Sequence, residues 1–385
     1  MKVIYFGAIH SSDSDFPLLK EYSRKGVDWL AYVSLTKYVH KAGLFNIENL
    51  IPKTGIFKAS VFAEMEPYAD YIDLDKIIII NDYNTHQRLF SSRILWLKVF
   101  LHMKKQHADI FHACWPLSGH ATILFHLPCK KVLSVHDPIS HSNQQNAKSE
   151  KVRAKSFKFF DKLVLLSKPL LNDFLSRYNI SKEKVIVNKM GEFDYLREIK
   201  QIPSNVASKY ILFFGYISPY KGLEYLCEAM DEVHKQYPEV KLVIAGGGKI
   251  YFNWQPFQNK DYIILRNHFI DLPELSGLLH DCEFSVCPYK DATQSGVVQT
   301  AFSMNVPMVV TNVGALPEVV KNGQNGLVVP PCNSKALAAA IIDLLANPQL
   351  VLSMRDNIKN VWQKQMSWEP IAQKYIKCYQ SLLQS

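Results

Sequence analysis

Cysteine is thinly spread: seven in 385 residues, an odd number, with no Cys-x-x-Cys pair. That excludes a disulfide framework and a zinc knuckle. No apolar run approaches the roughly 20 residues that a spanning helix needs. Ile77-Ile78-Ile79-Ile80 is a strand-sized block between charges. Residues 3–7 are too short for the apolar core of a secretory signal, so a reducing cytosol is the expected compartment. The 13 histidines show no His-Glu-x-x-His or similar ligand spacing. No zinc and no resident cofactor are expected. Walker loop, Gly-x-Gly-x-x-Gly fingerprint and Gly-x-Ser-x-Gly elbow are all missing, which weakens P-loop, dinucleotide and hydrolase readings.

What is present is ordinary globular material, 48% hydrophobic and 21% charged, with enough length for two domains. Its charge is lopsided. Residues 1–200 hold 29 Lys+Arg against 20 Asp+Glu, and the remainder is balanced, so the whole net charge of +9 sits in the first half. That half calls for an anionic partner, and a bilayer surface fits it. No basic–aromatic recognition motif accompanies the charge, so nucleic acid is not expected. Lys151, Arg153, Lys155, Lys158 and Lys162, interleaved with Phe157, Phe159 and Phe160, read as a peripheral membrane face. Residues 92–106 read as a core helix with basic ends.

Short apolar strands alternate with helix-length amphipathic segments, which predicts parallel sheets covered on both faces. Strands are expected at residues 3–7, 76–80, 109–113, 131–136, 162–166 and 184–187. After a polar stretch at 201–208, a second series is expected at 210–214, 240–245, 262–265, 283–288, 306–311 and 327–329. Helices are expected at 92–106 and 168–177, then from near Lys221, Leu272, Ser295, Leu316 and Ser334. The fold class is α/β: two Rossmann-like doubly wound domains facing a cleft. Residues 1–200 form the first, 201–208 a linker and 209–366 the second. Residues 367–385 would be a helix crossing back onto the first domain.

In such sheets ligands bind beyond the carboxyl ends of strands, where loops meet helix N-termini. Four junctions qualify. At Phe214-Gly215-Tyr216, running to Lys221-Gly222, glycine permits close backbone approach and the lysine is a point charge aimed at a phosphate. A solvated lysine on an ordinary turn is the rival reading. At Ala245-Gly246-Gly247-Gly248, three glycines end a strand. At Pro288 to Val298, Gln294 and Ser295 would cap a helix whose free amides at Ser295, Gly296, Val297 and Val298 suit an anion. The rival is a plain capped core helix. At Val135-His136-Asp137, a polar pair ends an apolar strand of the first half.

Order and phrasing resemble the GT-B glycosyltransferases of the retaining family 4 group. The resemblance covers nearly all of residues 209–331: Gly215 with Lys221-Gly222, Ala245 to Gly248, Glu274-Leu275 with Leu278-Leu279, Asn305 to Thr311, Gly314 to Val320, and Asn322 to Pro330. The first half is similar more loosely, through Asp109 to His112, Val135 to Asp137, Leu166-Ser167 and Asn188 to Glu192. Trp368 opens what looks like the family's crossover helix. The resemblance implies a sugar nucleotide, a UDP- or GDP-sugar, held mainly by the second domain, and a saccharide or lipid-linked acceptor on the first. Lys221 would meet the diphosphate, with Gly7, Gly215, Tyr216, Gly246 and Gly247 among the donor-binding positions. The amides from Ser295 to Val298 would meet phosphate and sugar, Arg266 and His268 would border the base, His136 and Asp137 would face the acceptor near the reacting sugar, and His136 and Lys221 would be the catalytic residues.

Two features depart from the family. Tyr216 stands where a basic residue is common, leaving Lys221 as chief cation and Arg266 as a compensator. The paired glutamates of the family map onto Ala292 and Thr300. Either Gln294, Ser295, Gln299 and Thr300 take over their hydrogen bonds, or the chain is slow or inactive. The expected function is therefore transfer of a hexose, with retention and without a metal, in cell-surface polysaccharide or glycolipid synthesis, at the inner face of the membrane. A catalytically degenerate nucleotide-sugar-binding or scaffold protein is the alternative, and an epimerase or phosphorylase would keep the fold while changing the chemistry.

Overall fold

The computed structural model describes residues 1–36, 39–42, 45–48, 50–84, 90–136, 147–166, 170–292 and 296–384. By contacts the chain divides into two units, Met1–Gly191 with Met366–Ser385, and Glu192–Gln365.

The first unit is built on an eight-stranded sheet. Its strands are β1 (Lys2–Gly7), β2 (Asp28–Thr36), β3 (Gly55–Lys58), β4 (Ile77–Asp82), β5 (Ile110–Ala113), β6 (Lys130–Val135), β7 (Lys162–Leu165) and β8 (Val185–Val187). The order is β8-β7-β6-β5-β1-β2-β4-β3, all pairs parallel except the edge strand β3. Helices cover both faces, so central strands are apolar throughout; Ile77 to Ile80 are all buried. Each of the six strands expected in this half forms. β2 and the edge strand β3 are additional; β2 lies next to β1 at the sheet's middle with Trp29, Ala31, Tyr32 and Leu35 buried.

The second unit carries β9 (Tyr210–Phe214), β10 (Lys241–Ala245), β11 (Ile263–Arg266), β12 (Ser285–Cys287), β13 (Met308–Thr311) and β14 (Gly326–Val329). They form one parallel sheet in the order β11-β10-β9-β12-β13-β14. The helix Leu223–Gln236 buries Leu223, Leu226, Cys227, Met230 and Val233, a single apolar stripe against that sheet. The order reverses direction between β9 and β12, which makes the carboxyl ends of these two strands the switch point.

The stretch expected to be a linker is not a free tether. Ile202 N–H donates to Pro273 O at 3.0 Å, and Ser204 N–H donates to Asp281 Oδ2 at 3.1 Å. Residues 192–200 also leave the first unit: Phe193 N–H donates to Ser303 Oγ at 2.7 Å, and Ser276 Oγ–H to Leu196 O at 2.7 Å. The division thus falls at Gly191 and Glu192, earlier than the polar composition of 201–208 suggests.

The last helix, Trp368–Gln384, packs on the first unit through Trp368, Ile371, Tyr375, Tyr379 and Leu382. Trp368 lies so close to Gly191 that a Cβ there would sit 2.4 Å from the indole. A buried polar chain completes the contact. Tyr379 Oη is 2.6 Å from Tyr22 Oη and 2.5 Å from His112 Nδ1, while Ser134 Oγ lies 2.8 Å from His112 Nε2 and 2.9 Å from Tyr375 Oη. Burial, reinforced by His136, pushes the His112 pKa down to about 3, so the ring is neutral and fits a chain of hydroxyls.

Candidate functional site

In the second unit β9 ends in Gly215, at φ +104°, a conformation that favours glycine. A short helical turn, Pro219–Lys221, follows, and Gly222 at φ +63° redirects the chain into the helix Leu223–Gln236. Lys221 is thereby folded back over the strand end. A Cβ on Gly215 would lie 2.6 Å from Lys221 Nζ and 3.6 Å from a Val297 methyl. The ammonium and the first turn of the helix Gly296–Ser303 therefore flank one point in space. The two spots that the sequence assigns to a phosphate are brought together.

Lys221 is only 5% exposed. Beneath it lie Tyr289, whose ring centroid is 5.4 Å from Nζ, and Phe213 at 6.0 Å. Among the described residues Nζ has no carboxylate and no hydrogen-bond acceptor. Burial lowers its pKa below the ordinary lysine range, with the neighbouring Cys287 opposing slightly. A buried cation of this kind is costly until an anion arrives. At the adjoining helix, the opening amides of Gly296, Val297 and Val298 lack intrahelical acceptors and carry the positive end of the helix dipole.

The glycines after β10 explain themselves by proximity. A Cβ on Gly246 would strike Gly215 O at 2.2 Å, and one on Gly248 would meet Ile217 O at 2.6 Å. The two loops run backbone against backbone, joined by Ile217 N–H to Gly247 O at 2.9 Å. Gly247 in turn abuts the His268 carbonyl. A strut missed by sequence reasoning holds the lysine turn. Lys290 Nζ bonds Glu224 Oε1 at 2.8 Å, Tyr251 donates to Glu224 Oε2, and Leu223 N–H donates to Tyr251 Oη at 2.9 Å. Lys290 N–H also donates to Tyr220 O at 2.7 Å.

Other expected positions are placed differently. Arg266 is already engaged, to Glu274 Oε1 at 2.8 Å and to Ser204 O, so its guanidinium braces the unit and is not a spare cation in place of Tyr216. His268 is exposed, 3.2 Å from Glu274 Oε2, and Tyr216 is exposed as well. Thr300 Oγ1–H donates to Gly296 O at 2.7 Å, within its own helix. The Ala292 carbonyl fills the space where a Gly314 Cβ would be, 1.6 Å away, so the loop after β13 runs directly past it. Gln294 and Ser295 lie outside the described residues.

In the first unit β1, β5 and β6 end side by side. His136, just past β6, stacks on Trp115 with centroids 5.3 Å apart and planes 4° from parallel. His10 meets the same indole edge-on at 4.6 Å. The sequence singles out His136 but not His10 or Trp115, whose one signal is position, just beyond adjacent parallel strands. Gly7 is glycine because Asp15 Oδ2 would lie 2.6 Å from its Cβ. Asp15 accepts from Tyr5 Oη at 2.6 Å and Ser11 Oγ at 2.7 Å, and burial pushes its pKa up to about 7. Asp137 lies outside the described residues.

Residues 208–347 match the family model of the glycosyl transferases group 1. The match falls within the second unit. A glycosyltransferase of Methanocaldococcus jannaschii, MJ1178, is 27% identical over 44% of this chain and 48% of its own length. A second from that organism, MJ1607, is 27% identical over 56% and 59%. The chain thus spans about half the length of the curated relatives it matches. Anabaena HepE, in its complex with UDP, superposes with a TM-score of 0.66 at 16% identity, covering 99% of this chain and 100% of its own. The likeness to HepE shows the fold, two Rossmann-like domains of the GT-B type, and the family match falls on the unit that holds Lys221.

Proposed function

We propose that the protein is a glycosyltransferase that moves a hexose from a UDP- or GDP-sugar to a saccharide or lipid-linked saccharide, with retention of anomeric configuration, in cell-surface polysaccharide or glycolipid synthesis. The observation that carries this reading is Lys221, a nearly buried ammonium set beside Gly215 and the opening turn of a helix. As the anomeric bond breaks, negative charge accumulates on the departing diphosphate. A lysine and backbone amides already in place stabilise that charge without reorganising, and their effect is greatest where water is excluded. His136, stacked on Trp115, would lie on the acceptor side. HepE in complex with UDP supports a nucleotide donor by fold alone.

Lys221→Ala is expected to lower turnover by about two to three orders of magnitude with the fold intact. The assay follows release of nucleoside diphosphate from a panel of sugar nucleotides, with the product anomer read by NMR. Near-normal turnover in that variant defeats the assignment. A second reading, a binding or scaffold protein, is favoured by one feature: Ala292 and the self-bonded Thr300 offer no carboxylate to the sugar. Saturable nucleotide binding with neither transfer nor donor hydrolysis would decide for it.

A further inference from the structure

The helix Phe90–Lys104 has two apolar faces. One, formed by Ser92, Leu95, Val99 and Met103, is buried in the first unit. The other is open: Phe90 is 75% exposed, Ile94 40%, Leu97 48% and Leu101 46%. Their spacing of four, three and four residues keeps all four within one narrow arc, opposite the buried face. The ridge is about 16 Å long at 1.5 Å per residue. On the same helical projection Arg93 and Lys104 run along one side and Lys98 and Lys105 along the other. The sequence has no Asp or Glu between Asp82 and Asp109. Beside the ridge, a cavity of about 320 Å³ is lined by Arg93, Trp96, His120 and His126.

The face anticipated around residues 151–162 is not built this way. Phe157 and Phe160 are buried, and Arg153 is held by Glu150 and Tyr178, leaving Phe159 as its one exposed ring.

We infer that the Phe90–Lys104 ridge is a docking surface for an anionic phospholipid bilayer, with the four apolar side chains entering the headgroup boundary and the flanking cations, with Arg93 at the cavity, meeting lipid phosphates. Three observations converge on a bilayer. The apolar ridge is continuous, cations of its own helix border it on both sides and that stretch of sequence holds no acid, and the net positive charge of the chain lies in the same half. Among the described residues no single helix is long and apolar enough to cross a membrane, so this contact lies in the interface plane. The inference does not depend on the transferase reading, because binding is measured without donor or acceptor.

The test is co-sedimentation of the full chain with phosphatidylcholine vesicles, alone or with about a third phosphatidylglycerol. Binding is expected to the anionic vesicles only, and to weaken as salt rises. Leu97→Asp is expected to lower the apparent affinity at least about tenfold, with Lys98→Glu doing so in an additive and salt-sensitive way. Leu352→Asp, equally exposed in the second unit, leaves binding unchanged, and matched thermal melts establish that each variant is folded. Absence of binding at low salt, equal binding to neutral vesicles, or unaltered binding by Leu97→Asp overturns the inference. So does a dimer in free solution that Leu97→Asp dissociates, which would assign the ridge to a second copy of the chain.

Discussion

Lys221 shows how a single charge can be stabilising in one state and costly in another. Without a ligand it sits nearly buried over Tyr289 and Phe213 with no anion among the described residues. Lys221→Met is therefore expected to raise the stability of the ligand-free protein by roughly 1–2 kcal/mol in urea unfolding, while abolishing stabilisation by added nucleoside diphosphate. Because burial lowers the folded-state pKa, nucleotide affinity should fall as pH climbs through the alkaline range below the ordinary lysine value. Asp15 gives the opposite sign. Its pKa rises from 3.8 to about 7 through burial. A raised acid pKa contributes stability that is complete below the unfolded value and is lost as pH increases to about 7. Unfolding free energy should accordingly decline between about pH 4 and 7 by a few kcal/mol, and Asp15→Asn should flatten that slope.

Loops after strands, and not the strands themselves, set the geometry around the lysine. Gly246 shows the constraint most sharply, since a methyl there would collide with Gly215 O. Gly246→Ala is expected to cost more than about 2 kcal/mol and to eliminate diphosphate binding, measured by thermal melting with and without nucleotide. These loops were legible from sequence because the apolar runs at 210–214, 240–245, 283–287 and 327–329 stop at Gly215, Gly246, Pro288 and Pro330. The strand β2 was not picked out, although Trp29 to Thr36 is aromatic and β-branched. The helix Ser12–Arg24 ahead of it opens on Ser and Asp and contains Pro17, which together imitate a loop. The engagement of Arg266 is not legible in the sequence for another reason. Its partners, Glu274 and Ser204 O, come from a following helix and a distant segment, and no local pattern announces them. Likewise the stacking of His10, Trp115 and His136 follows from β1, β5 and β6 being neighbours, which strand order decides and spacing does not. The open side of Phe90–Lys104 is hidden in the sequence because apolar residues occupy two opposite faces of the helix, and spacing does not say which of them is covered.

Each unit has its own sheet and core, yet only one of them is continuous in the chain. The segment Glu192–Gln365 is expected to fold when expressed by itself, giving cooperative unfolding and retaining nucleotide affinity at Lys221. Met1–Gly191 expressed alone is expected not to, because Tyr22, His112 and Ser134 would lose the hydroxyls of Tyr379 and Tyr375, and Gly191 would lose the indole of Trp368. Adding a peptide of residues 366–385 should restore its cooperative transition in calorimetry. That closing helix also has a consequence for birth at the ribosome. The part made first must wait, unsealed, until residues 366–385 clear the exit tunnel, whereas the part made second can settle before they do. Vectorial synthesis and completion therefore run in opposite orders, and a message truncated ahead of residue 366 would leave the earlier half, not the later one, as the client of chaperones.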